Sequence, residues 1–308
     1  MFKLLWKKKA LVLFLIVLVI LLPAAVARPA QMLSKAVFTE ISIDKKDGGF
    51  VFGGKMSLGK EELDIETTAS SIGDAINNIA LEKSRQVSFA HCTNITLGEG
   101  LKNENLADVL KFFLFHVELN NNCAVAWKEK GRKTTLEKFY KDYLYYSSAS
   151  VLTQGATDSA VIRSGRYQFS LDEKETDALS IIRGEKIKKR LVYEDEVIYV
   201  SRNTSKLKTK FIDNKPTVDI ALKINGEIES DPEVTSGVKD SVTKAMKKEL
   251  ENNIDGLLGK LYGTTDVLGL YNDFYRHHTK EFKKYLENHS FTDFMSELDF
   301  RVKVDISL

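Results

Sequence analysis

The stretch from Glu297 to Leu308 constrains the fold more than any other. Leu298, Phe300, Val302, Val304, Ile306 and Leu308 alternate without a break with Glu297, Asp299, Arg301, Lys303, Asp305 and Ser307. Successive strand side chains point to opposite faces, so this period of two predicts a strand with one buried and one wet face, as an antiparallel sheet permits. Val218, Ile220, Leu222 and Ile224 alternate in the same way, and Ala160–Ile162, Arg166–Leu171, Leu191–Tyr193 and Val197–Val200 read as shorter strands. The apolar faces need a cover. An amphipathic helix over about 235–261 supplies it, with Val238, Val242, Ala245, Leu250, Ile254, Leu257 and Leu261 on one stripe. Lys239, Lys244, Lys248 and Glu251 lie opposite, and a further helix over about 273–287 follows a break at Gly263.

The N-terminal half opens with apolar runs, Ala36–Phe38 to Ile41–Ile43 and Phe50–Phe52, on either side of Asp47-Gly48-Gly49, which predicts a β-hairpin. Ser70 and Ser71 can cap a helix over 72–82, whose Ile72, Ala75, Ile76, Ile79 and Ala80 recur at helical spacing. Strands at Val87–Phe89 and Ile95–Leu97, a helix over 106–116 buried through Leu106, Val109, Leu110, Phe113 and Leu114, and a strand at Cys123–Trp127 complete a ββαβαβ order. The expected fold class is α+β: antiparallel sheets with helices packed on one face, in two extracytoplasmic modules after an N-terminal apolar helix. The expected domains are 32–128 and 155–308, joined over 129–154 by a connecting helix bearing Phe139, Tyr140, Tyr143, Tyr145 and Tyr146.

Residues 1–27 have the three parts of an export signal: Lys3, Lys7, Lys8 and Lys9, then an apolar run from Ala10 to Leu22, then a small-residue exit ending Ala25-Val26-Ala27. The sequence accommodates both cleavage after Ala27 and retention as an anchor. Retained, Ala10 to Ala27 makes roughly 27 Å of helix, just short of a ~30 Å hydrocarbon core. The lysines precede the span, so the body is expected on the outer face of the cytoplasmic membrane in either case. The leader carries four of the 45 basic residues and no acid, leaving 41 basic against 43 acidic residues. With lysines and acids interleaved along the body, no basic stripe suggests nucleic acid as a partner.

No constellation of catalytic residues emerges. The histidines are His91, His116, His277, His278 and His289, and none belongs to HExxH. His91-Cys92 has no second Cys/His pair at zinc spacing, and GxSxG, GxxxxGK[ST] and GxGxxG are absent. Glu173, Glu175 and Glu194 to Glu196 read as solvated surface. The expectation is therefore no catalytic, cofactor-binding or metal site. Cys92 and Cys123 are too few for a disulfide scaffold, and their pairing depends on whether the fold brings them together.

In this layout the chain resembles the Ger(x)C family, the C subunits of spore germinant receptors of endospore-forming bacteria. Ile43-Asp44 resembles the family's Gly-Ile-Asp before its turn. The helix Ser71–Leu81 followed by Arg85, Ser88 and Ala90-His91 is similar to a segment ending in Gly-His. Ile95 to Gly98-Glu99 and the Leu110–His116 helix resemble an apolar-apolar-Gly-Glu stretch and a Leu-Asp-Phe-Phe helix. Ile162–Leu171, Glu173, Glu175-Thr176, Leu179 and Gly184 resemble the Gly-Lys-Leu-Val-Gly block. Asp266-Val267-Leu268-Gly269 resembles Asp-Ile-Phe-Gly, with Tyr275-Arg276 and Phe282-Lys283 in order behind it. No lipobox cysteine follows the leader, so the family's acyl anchor is missing, and the apolar helix would take its place if the leader is retained. The resemblance implies a non-enzymatic subunit assembled with an integral transporter-like subunit and an A-type receptor subunit; the wet faces of the terminal strand and the long helix are then either candidate contact surfaces or simply solvated. The rival expectation is an exported wall-binding or wall-hydrolysing protein of a sporulating cell.

Overall fold

The computed structural model describes residues 35–308 apart from 60, 117–118, 121, 130–133, 145–148, 155–156, 186–189, 194–195, 229–235 and 262. The leader, with its cleavage site or anchor, lies outside the described residues, as do Tyr145 and Tyr146. Among the described residues no helix is long and apolar enough to cross a membrane. The chain divides into two compact units, residues 1–100 with 110–123, and residues 101–109 with 124–308.

In the first unit β1 (Lys35–Lys46), β2 (Gly49–Leu58) and β3 (Glu61–Ala69) form an antiparallel meander. Asp47 and Gly48 both take positive φ, 48° and 81°, the twist a two-residue hairpin turn requires. α1 (Ile72–Lys83) begins where the Ser71 hydroxyl accepts from Asp74 N at 3.1 Å and ends on Ser84 in the left-handed region. Because α1 carries the chain back across the sheet, β4 (Gln86–Ser88) and β5 (Asn94–Leu97) run parallel to β1. The rings of Phe38, Phe52, Phe89 and Phe113 fill the core, with centroids 5.3 to 6.3 Å apart in edge-on and stacked pairs. Phe113 is supplied by α2 (Leu106–His116).

The second unit holds β6 (Ala124–Trp127), β7 (Thr134–Thr135) and α3 (Leu136–Leu144), then a three-stranded antiparallel sheet of β8 (Ala149–Gln154), β9 (Asp158–Arg163) and β10 (Arg166–Leu171). α4 (Glu173–Ile182) starts with a capping box: Asp172 Oδ1 accepts from Glu175 N at 2.9 Å, and Glu175 Oε2 accepts from Asp172 N at 3.0 Å. Glu175 also receives Lys260 Nζ at 2.7 Å and is half-buried, so the reading of it as solvated surface is corrected.

A four-stranded sheet follows, ordered β11 (Arg190–Tyr193), β12 (Glu196–Ile212), β13 (Lys215–Ile228) and β14 (Asp299–Ser307). β12 and β13 form a long ribbon closed by Asp213 and Asn214, both at positive φ. α5 (Ser236–Leu261), α6 (Leu270–His277), α7 (Thr279–Leu286) and α8 (Phe291–Glu297) intervene before β14. The helix expected over 273–287 is two, because His278 leaves helical geometry at φ −128°, ψ 41°.

The expectation of purely antiparallel sheets is also corrected. β14 runs parallel to β13, from Thr217↔Asp299 to Asn225↔Ser307, because four helices return the chain to the end of the sheet from which β13 began. The alternation itself holds: Val218, Ile220, Leu222 and Ile224 are buried with Val304 and Ile306. They join one core with Val242, Met246, Leu250, Ile254, Leu257 and Leu261 of α5, and with Phe274, Phe282 and Phe294 of the later helices.

Gly54 pairs with Ile41, one step beyond the register shift between Phe38 and Glu40 of β1, and has φ 142°; an added Cβ would lie 2.0 Å from Glu40 O. Gly48 has positive φ but open space around it. We expect Gly48→Ala to lower stability by about 1 kcal/mol and Gly54→Ala by more than about 2 kcal/mol, measured by urea denaturation.

Candidate functional site

The motifs that gave the sequence its resemblance fold into carboxylate caps on backbone amides. In the first unit Asp44 Oδ1 accepts from Lys45 N and Gly100 N, both at 2.8 Å, while Gly98 N donates to Ile43 O at 2.7 Å. A Cβ on Gly98 would stand 2.2 Å from Asp44 Cγ, and one on Gly100 would stand 1.9 Å from Lys45 O. The Ile43-Asp44 and Gly98-Glu99 motifs, more than fifty residues apart in sequence, are therefore two halves of one joint, and glycine is required because the carboxylate occupies the side-chain space.

The second joint is Asp266. It is 3% exposed and accepts from Leu270 N and Tyr271 N at 2.8 Å each, capping the start of α6. Burial pushes its pKa above the ordinary carboxylate range, opposed by hydrogen bonds from the backbone of Tyr271, Leu270, Gly269 and Leu268. Gly269, at φ 73° with open space around it, is required for its dihedral alone. Beside this turn Arg183 donates from Nη2 to Val267 O at 2.7 Å, and burial lowers its pKa. A cleft of about 340 Å³ opens here, lined by Arg183, Leu207, Leu268, Asn272 and Arg276 among others. Sequence reasoning missed Arg183; the available signal was a single cation set between Ile181-Ile182 and Gly184, inside the block that ends at that glycine.

Cys92 and Cys123 do meet, as free thiols. Both are buried, with sulfurs 3.8 Å apart, and Cys92 Sγ donates to Asn94 O at 3.3 Å. The neighbouring sulfur, then burial, hold the Cys123 thiol well above its usual range. The histidines do not converge: His91 is exposed, His278 Nε2 meets Thr209 O at 2.8 Å, and His289 stacks on Tyr285 at 4.1 Å. Among the described residues no three His, Cys, Asp or Glu side chains are placed to hold a metal ion.

The second unit also presents a wet sheet face. Cross-strand register sets its rows: Lys210 and Asp299 flanking a buried Thr217, then Lys208–Asp219–Arg301, Lys206–Ala221–Lys303, Thr204–Lys223–Asp305 and Arg202–Asn225–Ser307. Lys210 pairs with Asp219, and Arg301 with Asp299 at 3.1 Å. On α5 the outer face carries exposed Lys239, Lys244, Lys247 and Lys248.

A two-unit α+β protein whose motif carboxylates, Asp44 and Asp266, are bonded to backbone amides is the class that the fold and site define. Family profiles narrow it further. The profile described as spore germination B3/GerAC like, C-terminal, matches residues 157–308, and that of the spore germination protein N-terminal domain matches 36–155. The chain belongs to this GerAC-like family of spore germination proteins, the C subunits of germinant receptors. The crystal structure of the GerBC protein is similar over 87% of this chain and 96% of that one, with a TM-score of 0.61 at 17% identity, a likeness of fold. No curated protein matches the chain.

Asp266 supplies a pH test. A carboxyl whose folded pKa is raised contributes stability that is fully present below its unfolded value, near 4, and is lost as pH rises through the folded value. Asp266→Asn removes this titration. We expect its stability to vary less steeply than wild type from about pH 4 toward neutrality, measured by denaturant titrations across that range.

Proposed function

We propose that this chain is a non-enzymatic, extracytoplasmic C subunit of a spore germinant receptor, held at the membrane and acting by association with an integral transporter-like subunit and an A-type subunit. The observation that carries this reading is the match of both family domains, in order, along residues 36–155 and 157–308. Two features support the non-enzymatic part. The motif carboxylates Asp44 and Asp266 are bonded to backbone amides, and Asp266 is buried. Tyr285 has its pKa raised by burial and by its bond to Glu297, both groups serving the packing of α7 and α8.

Association at a membrane needs little intrinsic affinity. Confining two proteins to one surface raises their effective concentration, so modest contacts suffice for a stable complex. The wet face of α5 is the candidate region for contact with a partner protein, and its opposite stripe is backed by the core of the second unit.

The test is purification of the tagged full chain from membranes of sporulating cells, together with deletion of its gene. We expect a multi-span protein to co-purify and the deletion to abolish the germinant response. Release of soluble fragments from purified cell wall by the same protein would assign the rival function, that of an exported wall hydrolase. N-terminal sequencing of the membrane-bound form settles the tether: a start at Arg28 means cleavage, and retention of residues 1–27 means an anchor.

A further inference from the structure

The body of the chain is close to neutral, with 41 basic against 43 acidic residues beyond the leader, yet the wet face of the β12–β14 sheet is not. In its five cross-strand rows it presents seven basic side chains against three acidic ones. Two of the cations, Lys210 and Arg301, are paired within the face. Among the described residues Arg202, Lys206, Lys208, Lys223 and Lys303 are exposed and have no carboxylate within 4 Å. The concentration comes from strand geometry. Lys206, Lys208 and Lys210 are separated in sequence by Leu207 and Thr209, and the pleat turns all three to one side while register adds Lys223 and Lys303 beside them.

We propose that this face is a docking surface for the headgroups of anionic phospholipids, a second membrane contact of a chain that the proposed function already holds at the bilayer. The composition of the face favours lipid over protein. Protein interfaces are enriched in aromatic residues, Met and Arg and depleted in Lys. This face offers lysines spaced by Thr204, Ala221 and Asn225, with Tyr199 exposed near one end and no apolar anchor among the rows. Mobile ammonium groups on a broad sheet suit a plane of delocalised negative charge, where each cation near the surface adds an attraction that is screened within a Debye length. The outer lysines of α5 lie on a different element and serve as an internal reference.

The experiment uses the full chain on vesicles of phosphatidylcholine alone or phosphatidylcholine with phosphatidylglycerol. Lysine amines are acetylated with a water-soluble reagent and read by peptide mass spectrometry. We expect acetylation of Lys206, Lys208, Lys223 and Lys303 to slow at least about threefold on the anionic vesicles relative to Lys244 and Lys248, and the difference to vanish near 1 M salt. The fourfold variant K206Q/K208Q/K223Q/K303Q changes only exposed side chains; in it the protection of Lys210 on anionic vesicles is expected to disappear.

Equal labelling on both vesicle types while the chain floats with them overturns the docking surface and leaves the tethered-subunit reading standing. Protection that arises only when a receptor partner protein is added assigns the face to protein contact and likewise overturns the lipid proposal. Failure of the chain to float with either vesicle removes the membrane tether, and both readings fall.

Discussion

A buried carboxylate bound by backbone amides is the interaction on which the second unit depends. Asp266 sits between the end of α5 and the start of α6, where the chain must reverse after the long helix. The first amides of a helix have no partner of their own, and burying them unmet costs more than the hydrogen bonds return elsewhere. Asp266 meets two of them, Gly269 supplies the left-handed residue that lets the turn close, and Arg183 fixes the carbonyl of Val267 from the other side. With this reversal in place, Phe274, Phe282 and Phe294 can stack into one apolar layer and β14 can come back beside β13. Asp44 performs the equivalent task in the first unit, joining the end of β1 to the turn after β5.

What could be read from the sequence followed the strength of the periodic signal. The alternation from Leu298 to Leu308 and the stripe of α5 were visible because each segment has one apolar and one polar face. β12 was visible only at its start, Val197–Val200, because residues 201–210 are polar on both faces apart from Leu207: Asn203, Ser205 and Thr209 lie on one side with it, and Lys206, Lys208 and Lys210 on the other. The strand direction of β14 was not legible at all. Parallel and antiparallel partners impose the same period of two, and only the helical path between β13 and β14 decides between them.

The motif residues show a different limit. Asp44, Gly98, Asp266 and Gly269 were each identified from the resemblance, yet nothing local tells that the first two touch or that the last two form a helix cap. The charge distribution was hidden for a related reason. Along the sequence Lys206, Lys208 and Lys210 read as interleaved and unremarkable, whereas pairing with β13 and β14 gathers seven cations onto one side. Residues 92 and 123 are likewise remote until the sheet places their sulfurs within contact.

The parallel pairing of β13 with β14 joins residues 82 apart at every step, from Thr217 with Asp299 to Asn225 with Ser307. Loop closure over such a distance has to be met before any contact in that ladder forms, whereas the β12–β13 ribbon zips from its own two-residue turn. The ribbon and its neighbouring helices are thus positioned to assemble early, and the fourth strand to arrive as the slow event. Until it does, one edge of β13 offers unpaired amides and carbonyls to any extended segment nearby, so in a cell the interval before closure is when this sheet is most exposed to strand exchange and to aggregation.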